Sequence, residues 1–418
     1  MDPLYNIGIS AYKLAVRLAS VKNRKARLLL EGQSRTFSYL REHLHPAGGY
    51  IWIHASSLGE FEQGRPLIEM IRRDHPNARI LLSFFSPSGY EVRKNYNQVD
   101  AVCYLPFDLP GNVKTFLDLV KPSMAIFVKY EFWGNYLHEL DRRGIPTYSI
   151  SAIFRPSQVF FKPWGSKMRK ILSHFDKLFV QNEESRQLLQ GIGIHQVEVS
   201  GDTRFDRVAH VREQTKQFPT IERFVSTARL TVVMGSSWEP DEDLMIPYFN
   251  THPGMKLIIA PHEFDRERLL AIMSRIKRPA GLFSQALPAT SSQLDCIIID
   301  SFGLLSSLYR YGQIAMVGGG FGAGIHNINE AAVYGMPVIF GPNYHKFSEA
   351  KDLIACGGGF AVSTADEFRS VMDRLLSDTD ELRRAGSIAE HYIQSHLGAT
   401  QLIYDQIKQH IKSSEVVG

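Results

Sequence analysis

The chain has 418 residues, of which 44% are hydrophobic, 22% charged and 11% aromatic; this excludes extended disorder and, at this length, points to more than one domain. A formal net charge of +4, from 47 Lys+Arg against 43 Asp+Glu, excludes a general nucleic-acid binder. Three scattered cysteines, Cys103, Cys296 and Cys356, form no CxxC pair, which excludes a disulfide framework and a structural zinc site and suits a reducing compartment.

In chain order, the first predicted element is a helix from Leu4 to Ala19. Leu4, Ile7, Ala11, Leu14, Ala15 and Leu18 fall on one face, with Lys13, Arg17, Lys22, Arg24, Lys25 and Arg27 beside or after them. Such a helix either packs on its own domain or lies on an anionic membrane surface. No run reaches the roughly 18–20 apolar residues of a membrane span. Asn6, Lys13 and Arg17 interrupt what a signal peptide would keep apolar.

Short apolar runs then alternate with helical stretches. Strands are expected at Tyr50–His54, Ile80–Phe84, Ala101–Tyr104, Met124–Val128, Thr147–Ile150 and Lys177–Phe179, with helices at Phe61–Arg73, Val113–Val120 and Trp133–Arg143. After a polar stretch the pattern restarts with strands at Leu230–Gly235, Leu257–Ala260, Cys296–Asp300, Ile314–Val317 and Pro337–Phe340. Helices are expected at Asp265–Ile276, Asn327–Tyr334 and through the tail Glu381–Ile411. Continuous apolar strands alternating with helices mean parallel sheets covered on both faces. The expected division is residues 1–207 and 208–418, two α/β domains facing a central cleft.

Residues at the carboxyl ends of these strands carry the candidate chemistry, because open parallel sheets bind ligands there. In the first domain Glu60 follows Ser56-Ser57-Leu58-Gly59 at a helix start, and Glu131 follows the Met124–Val128 strand. Arg204 stands near the domain boundary. Each carboxylate is either a helix-terminal or paired surface acid or a group that handles a proton. In the second domain Gly318, Gly319, Gly320, Gly322 and Gly324 lead into Asn327, Ile328, Asn329 and Glu330. This loop fits only the relaxed dinucleotide fingerprint and is no Walker A motif. Glu330, in the first turn of the expected helix, reads as a macrodipole-favoured surface carboxylate, as an acceptor for two ribose hydroxyls, or as both. Pro261-His262 and Phe302-Gly303-Leu304 end two further strands. Two acidic triplets, Asp241-Glu242-Asp243 and Asp378-Thr379-Asp380, read as solvated charge, so no metal site is expected.

Taken in order, His54–Glu60, Ser86-Pro87-Ser88-Gly89, Leu105–Leu109 with Pro110-Gly111, Glu131-Phe132-Trp133, Gly201–Asp206, Pro261-His262 and Gly318 through Glu330 with Phe340-Gly341-Pro342 resemble the bacterial 3-deoxy-D-manno-octulosonic acid (Kdo) transferases. The resemblance implies a GT-B fold, two facing Rossmann-like domains. It implies inverting transfer of Kdo from CMP-Kdo to a lipid A precursor, lipid IVA, at the cytoplasmic side of the inner membrane, with no metal and no cofactor. It makes Glu60 the proton acceptor and gives Glu131 and Arg204 transition-state support. It assigns CMP to Pro261, His262, Phe302, Gly303, Leu304, Asn327, Ile328, Asn329 and Glu330. The chain departs from the family in having Arg204 for Lys, Lys129 for an acid, Gly134 for Pro, and no Arg between Pro261 and His262. The rival reading is another GT-B transferase, one using a UDP-sugar.

Overall fold

Buried from end to end, the strand Tyr50–Ala55 (β1) shows why its apolar run has no polar alternation: helices cover both faces of its sheet. A computed structural model describes residues 3–214 and 216–411. The chain divides into two compact units. Met1–Arg207 together with the chain from Leu397 forms the first, and Val208–His396 the second.

The first unit has β1, Ile80–Phe84 (β2), Ala101–Tyr104 (β3), Pro122–Val128 (β4), Thr147–Ala152 (β5), Lys177–Val180 (β6) and Val197–Val199 (β7). They form one parallel sheet in the order β3-β2-β1-β4-β5-β6-β7. The second has Leu230–Ser237 (β8), Met255–Pro261 (β9), Ala280–Leu282 (β10), Cys296–Ile298 (β11), Ile314–Val317 (β12), Val338–Phe340 (β13) and Gly359–Ala361 (β14). These are parallel in the order β10-β11-β9-β8-β12-β13-β14. Both units are Rossmann-like, as a GT-B chain requires. In each, the strand order reverses beside the first strand, between β1 and β4 and between β8 and β12, and a doubly wound sheet opens a crevice at such a point.

Helices place the chemistry. The first, Pro3–Ala19 (α1), has no buried residue. The second, Arg24–His43 (α2), was not anticipated, since its sequence is strongly charged and contains Gly32. A Cβ on Gly32 would lie 2.2 Å from the Tyr104 ring, so glycine permits α2 to approach β3. Leu58–Asp74 (α3) begins earlier than expected and puts Glu60 in its first turn. In the second unit Glu239–Thr251 (α4) follows β8. The expected Asn327–Tyr334 helix is a single turn, Asn329–Ala332.

The tail is two helices, Thr379–Ser395 (α5) and Ala399–Ile407 (α6), broken at Gly398, whose φ is +104°. Asp206 caps α6 by accepting from Gly398 N and Thr400 N, each at 2.7 Å. Ile403, Tyr404 and Ile407 pack into the first unit's core with Ile51, Ile53 and Ile68, so a second domain running from 208 to the C-terminus is not what forms.

Candidate active site

In the first unit, β1 and β4 deliver two carboxylates to the point where the strand order reverses. Glu60 sits at the third position of α3, and its Oε2 accepts from Ser57 N at 3.1 Å, closing the helix start. Burial, then the charge of Glu131, pushes the Glu60 carboxyl up to about 7, against the opposing pull of His54 and the Ser56 and Ser57 amides. A carboxylate with that pKa is half ionised near neutrality and can both take and return a proton.

Glu131 is buried and held by two donors. Trp133 Nε1 donates to Glu131 Oε2 at 2.6 Å, and His54 Nε2 lies 3.0 Å from the same oxygen. His54 is fully buried in β1, and its Nδ1 is 2.9 Å from Ser83 Oγ. Trp52 Nε1 donates to that hydroxyl at 2.8 Å, and His54 Nδ1 also lies 3.1 Å from the Ser83 carbonyl oxygen. The chain Trp52, Ser83, His54, Glu131 is thus satisfied throughout. Sequence reading gave His54 no role, because its partner lies 77 residues away.

Arg204 is clamped by Asp202. Its Nε and Nη2 lie 2.8 and 2.7 Å from Asp202 Oδ2, and its backbone N donates to Oδ1 at 2.9 Å. Gln63 Nε2 reaches the same Oδ1 at 3.0 Å. Burial pushes the Asp202 carboxyl up, but Arg204 and these N–H donors outweigh it and hold it below the usual range. Asp202, two residues before the cation, went unassigned in the sequence. Tyr130 joins the group: its hydroxyl accepts from Arg155 Nη1 at 3.1 Å and lies within electrostatic reach of Arg204 and Glu60. The three expected catalytic residues therefore share one edge of one sheet.

In the second unit the glycine loop follows β12. Gly318 has no room for a side chain, a Cβ there falling 2.3 Å from Ser236 O, and Gly319 has φ +91°. Asp241, in the first turn of α4, holds this loop: its Oδ2 accepts Gly319 N at 3.0 Å and Trp238 N at 2.9 Å. Glu242 takes Ser237 Oγ at 2.9 Å and Arg268 Nη2 at 2.5 Å. Both acids are fully buried, so the expectation of solvated charge fails at these two positions. They are buried because unpaired backbone N–H groups and a guanidinium need them. Asp378 is a helix cap, accepting from Asp380 N and Glu381 N. Among the described residues, no group of three or more His, Cys, Asp or Glu is gathered as for a metal.

The nucleotide candidates gather around that loop. His262 stacks on Trp238 at 4.7 Å and on His326 at 4.5 Å, which brings the Pro261-His262 strand end against the Asn327 turn. Burial, then His262, pushes the His326 imidazole below its ordinary pKa, keeping it neutral. Asn327 Nδ2 donates to Glu330 Oε1 at 3.1 Å. Ile328 and Asn329 are buried. Gly303 has φ +77° and opens the turn to Leu304, and exposed Phe302 lies against Phe264 at 4.2 Å. Trp238 and His326 belong to this cluster; in the sequence they stand within the strand-end run Gly235–Glu239 and the run His326–Glu330 but carry no individual role there. A cavity of about 630 Å³, lined by residues such as Arg229, Met255 and Gly312, opens at the opposite, amino-terminal edge of the sheet.

A family model described as 3-Deoxy-D-manno-octulosonic-acid transferase (kdotransferase) matches residues 20–207. The 3-deoxy-D-manno-octulosonic acid transferase of Aquifex aeolicus is 29% identical over 351 residues, 82% of this chain and 90% of that protein. That of Haemophilus influenzae is 24% identical over 412 residues, 95% of each. Among solved structures, UDP-GlcNAc 2-epimerase from Neisseria meningitidis gives a TM-score of 0.61 at 14% identity, over 86% of this chain and 100% of that one. MurG of Acinetobacter baumannii gives 0.55 at 10% identity, over 87% and 99%. These two share the fold.

Proposed function

This chain belongs to the bacterial Kdo transferases, glycosyltransferases of lipopolysaccharide biosynthesis, and from that premise we propose that it moves Kdo from CMP-Kdo to lipid IVA with inversion, Glu60 acting as the base. The observation that carries this is the half-buried Glu60 beside Glu131, with a carboxyl pushed up to about 7. An acceptor hydroxyl is a poor nucleophile until its proton leaves. Its oxygen attacks the anomeric carbon of Kdo as the proton passes to a Glu60 oxygen. The bond from that carbon to the phosphate oxygen breaks, and CMP leaves with the electron pair. Arg204, oriented by Asp202, and the Glu131 carboxylate supply opposite charges around a centre that becomes oxocarbenium-like. In the second unit Glu330 takes the ribose hydroxyls, while the glycine-loop amides and the Pro261-His262, Phe302–Leu304 and Asn327–Asn329 segments hold the rest of CMP.

The acceptor's acyl chains stay in lipid, so the enzyme is read as peripheral to the cytoplasmic face of the inner membrane. Support comes from α1, which has two apolar stripes. Tyr5, Ile9, Tyr12 and Val16 pack on the first unit, with Tyr5 donating to Asp108 Oδ2 at 2.7 Å. Leu4, Ile7, Leu14 and Leu18 are 58–69% exposed. Lys13 and Arg17 lie beside them, which is the composition of a helix at an anionic bilayer surface. No described helix is long and apolar enough to cross a membrane.

Mass spectrometry of a reaction holding CMP-Kdo and lipid IVA tests the reading. The expected product is heavier by whole Kdo units, and an unchanged acceptor refutes it. Calorimetric titration should give tighter binding of CMP than of UDP; the reverse order would favour a UDP-sugar donor.

A further inference from the structure

A second exposed apolar and basic element stands beside the catalytic carboxylates. Between Ile153 and Phe175 the chain carries Arg155, Lys162, Lys167, Arg169 and Lys170 and no carboxylate. Within it Trp164 is 75% exposed, on the short turn Pro163–Gly165, with Val159 exposed on the turn before. An indole exposed beside Val159 and among five cations combines an apolar body with basic charge, the composition of a bilayer-surface contact. The display is built, not slack. Phe160 is buried against Phe132 and Phe154, at ring separations of 5.3 and 6.1 Å. Gly165 sits so close to the preceding turn that a Cβ would fall 1.9 Å from Val159 O, and Arg169 Nη2 donates to Lys162 O at 2.9 Å.

Its location is as telling as its composition. The turn carrying Glu131 is gripped from both sides within the first unit. On one side α1 reaches it: Tyr5 Oη accepts from Gly134 N at 3.0 Å, and Asn135 Nδ2 donates to Asn6 Oδ1 at 2.8 Å. On the other, Arg155 donates to Tyr130 at 3.1 Å and Phe132 packs on Phe154 at 5.6 Å. Both elements touching the turn present apolar side chains to solvent among cations.

We propose that segment 155–170 is a second lipid contact, in which Trp164 enters the headgroup layer of an anionic bilayer and the neighbouring cations meet lipid phosphates. This rests on the membrane reading of α1 above and extends it to two supports flanking Glu131. Charge selects the occupant: a segment with five cations and no acid favours anionic lipid, and an indole favours the depth where headgroups meet acyl chains. With one support, a bound enzyme could pivot about a helix. With two, the strand ends bearing Glu60 and Glu131 keep a fixed height above the bilayer, where the sugars of a membrane-held acceptor lie.

The test uses the full chain and phosphatidylglycerol/phosphatidylethanolamine vesicles carrying brominated acyl chains. Wild-type tryptophan emission should shift to the blue and be quenched on binding, and Trp164→Phe should lose most of that change. Trp164→Ala should lower vesicle partitioning about tenfold, the scale for leaving a large apolar group out of the interface. Its turnover on detergent-dispersed acceptor should remain that of wild type. Unchanged partitioning in Trp164→Ala overturns the proposal. So does an equal loss of turnover in detergent, which would place Trp164 on the acceptor itself. If wild-type protein transfers no Kdo in the detergent assay, the enzymatic reading fails while the vesicle result still stands or falls by itself.

Discussion

The two sheets reverse strand order in the same way and fill the resulting crevices with different chemistry. In the first unit the groups are charge-bearing side chains: Glu60 and Glu131 after β1 and β4, and Arg204 on Asp202 after β7. At the end of β8 and β12 the groups are backbone amides, glycines and a histidine pushed below its ordinary pKa; of the acids there, Asp241 is turned inward on the loop and Glu330 accepts from Asn327. The first arrangement can move a proton; the second can cradle a nucleotide without competing for protons. One topology serves both because its strand ends fix where a residue stands and leave open what it is.

The sharpest way to break this contrast is Glu60→Gln. It keeps the bond to Ser57 N and removes the base, so single-turnover rate should drop roughly 10²–10⁴-fold with CMP affinity unchanged. A comparable loss of CMP affinity would erase the division of labour. Asp241→Ala leaves two buried N–H groups unpaired and should destabilise the second unit by about 2–4 kcal/mol, read by urea unfolding. It should also loosen CMP, while leaving the tilt of the kcat/KM pH profile alone.

Glu330→Gln is expected to be milder, costing CMP roughly 1–3 kcal/mol in a calorimeter with little change in the pH profile. The smallest expected effect is the most diagnostic of the first crevice. In wild type kcat/KM should rise with pH through about 7, as Glu60 ionises. Glu131→Gln removes a charge that raises the Glu60 carboxyl, so this limb should move to lower pH. A limb that stays fixed would show that the two carboxylates do not interact. The same shift has a stability sign. The folded state keeps a Glu60 proton that the unfolded chain releases near 4.5, so this group's contribution to stability falls as pH rises from there through about 7.

The sequence exposed the strand ends well, because short apolar runs followed by small residues leave few other readings. Glu60, Glu131 and the glycine loop were found that way. What stayed hidden depends on partners distant in the chain. His54 looks like one more strand residue until Glu131 arrives beside it. Asp241 looks like an exposed helix-start acid until Gly319, 78 residues on, donates to it. The edge strands β7, β10 and β14 have three residues each, too short to show a period. The helix α2 is held largely by its contacts with β3, and charge masks its apolar face.

The return of α6 to the first unit bears on the order of synthesis. Ile403 and Ile407 are among the last described residues to leave the ribosome, yet they belong to the core that β1 and α3 begin. The first unit therefore cannot complete its core while it is being made, and its Ile51 and Ile68 face waits through all of 208–396. Chaperone capture should concentrate on that interval. An expressed fragment ending at 207 would keep this face bare, whereas one that rejoins 397–411 through a flexible linker would close it.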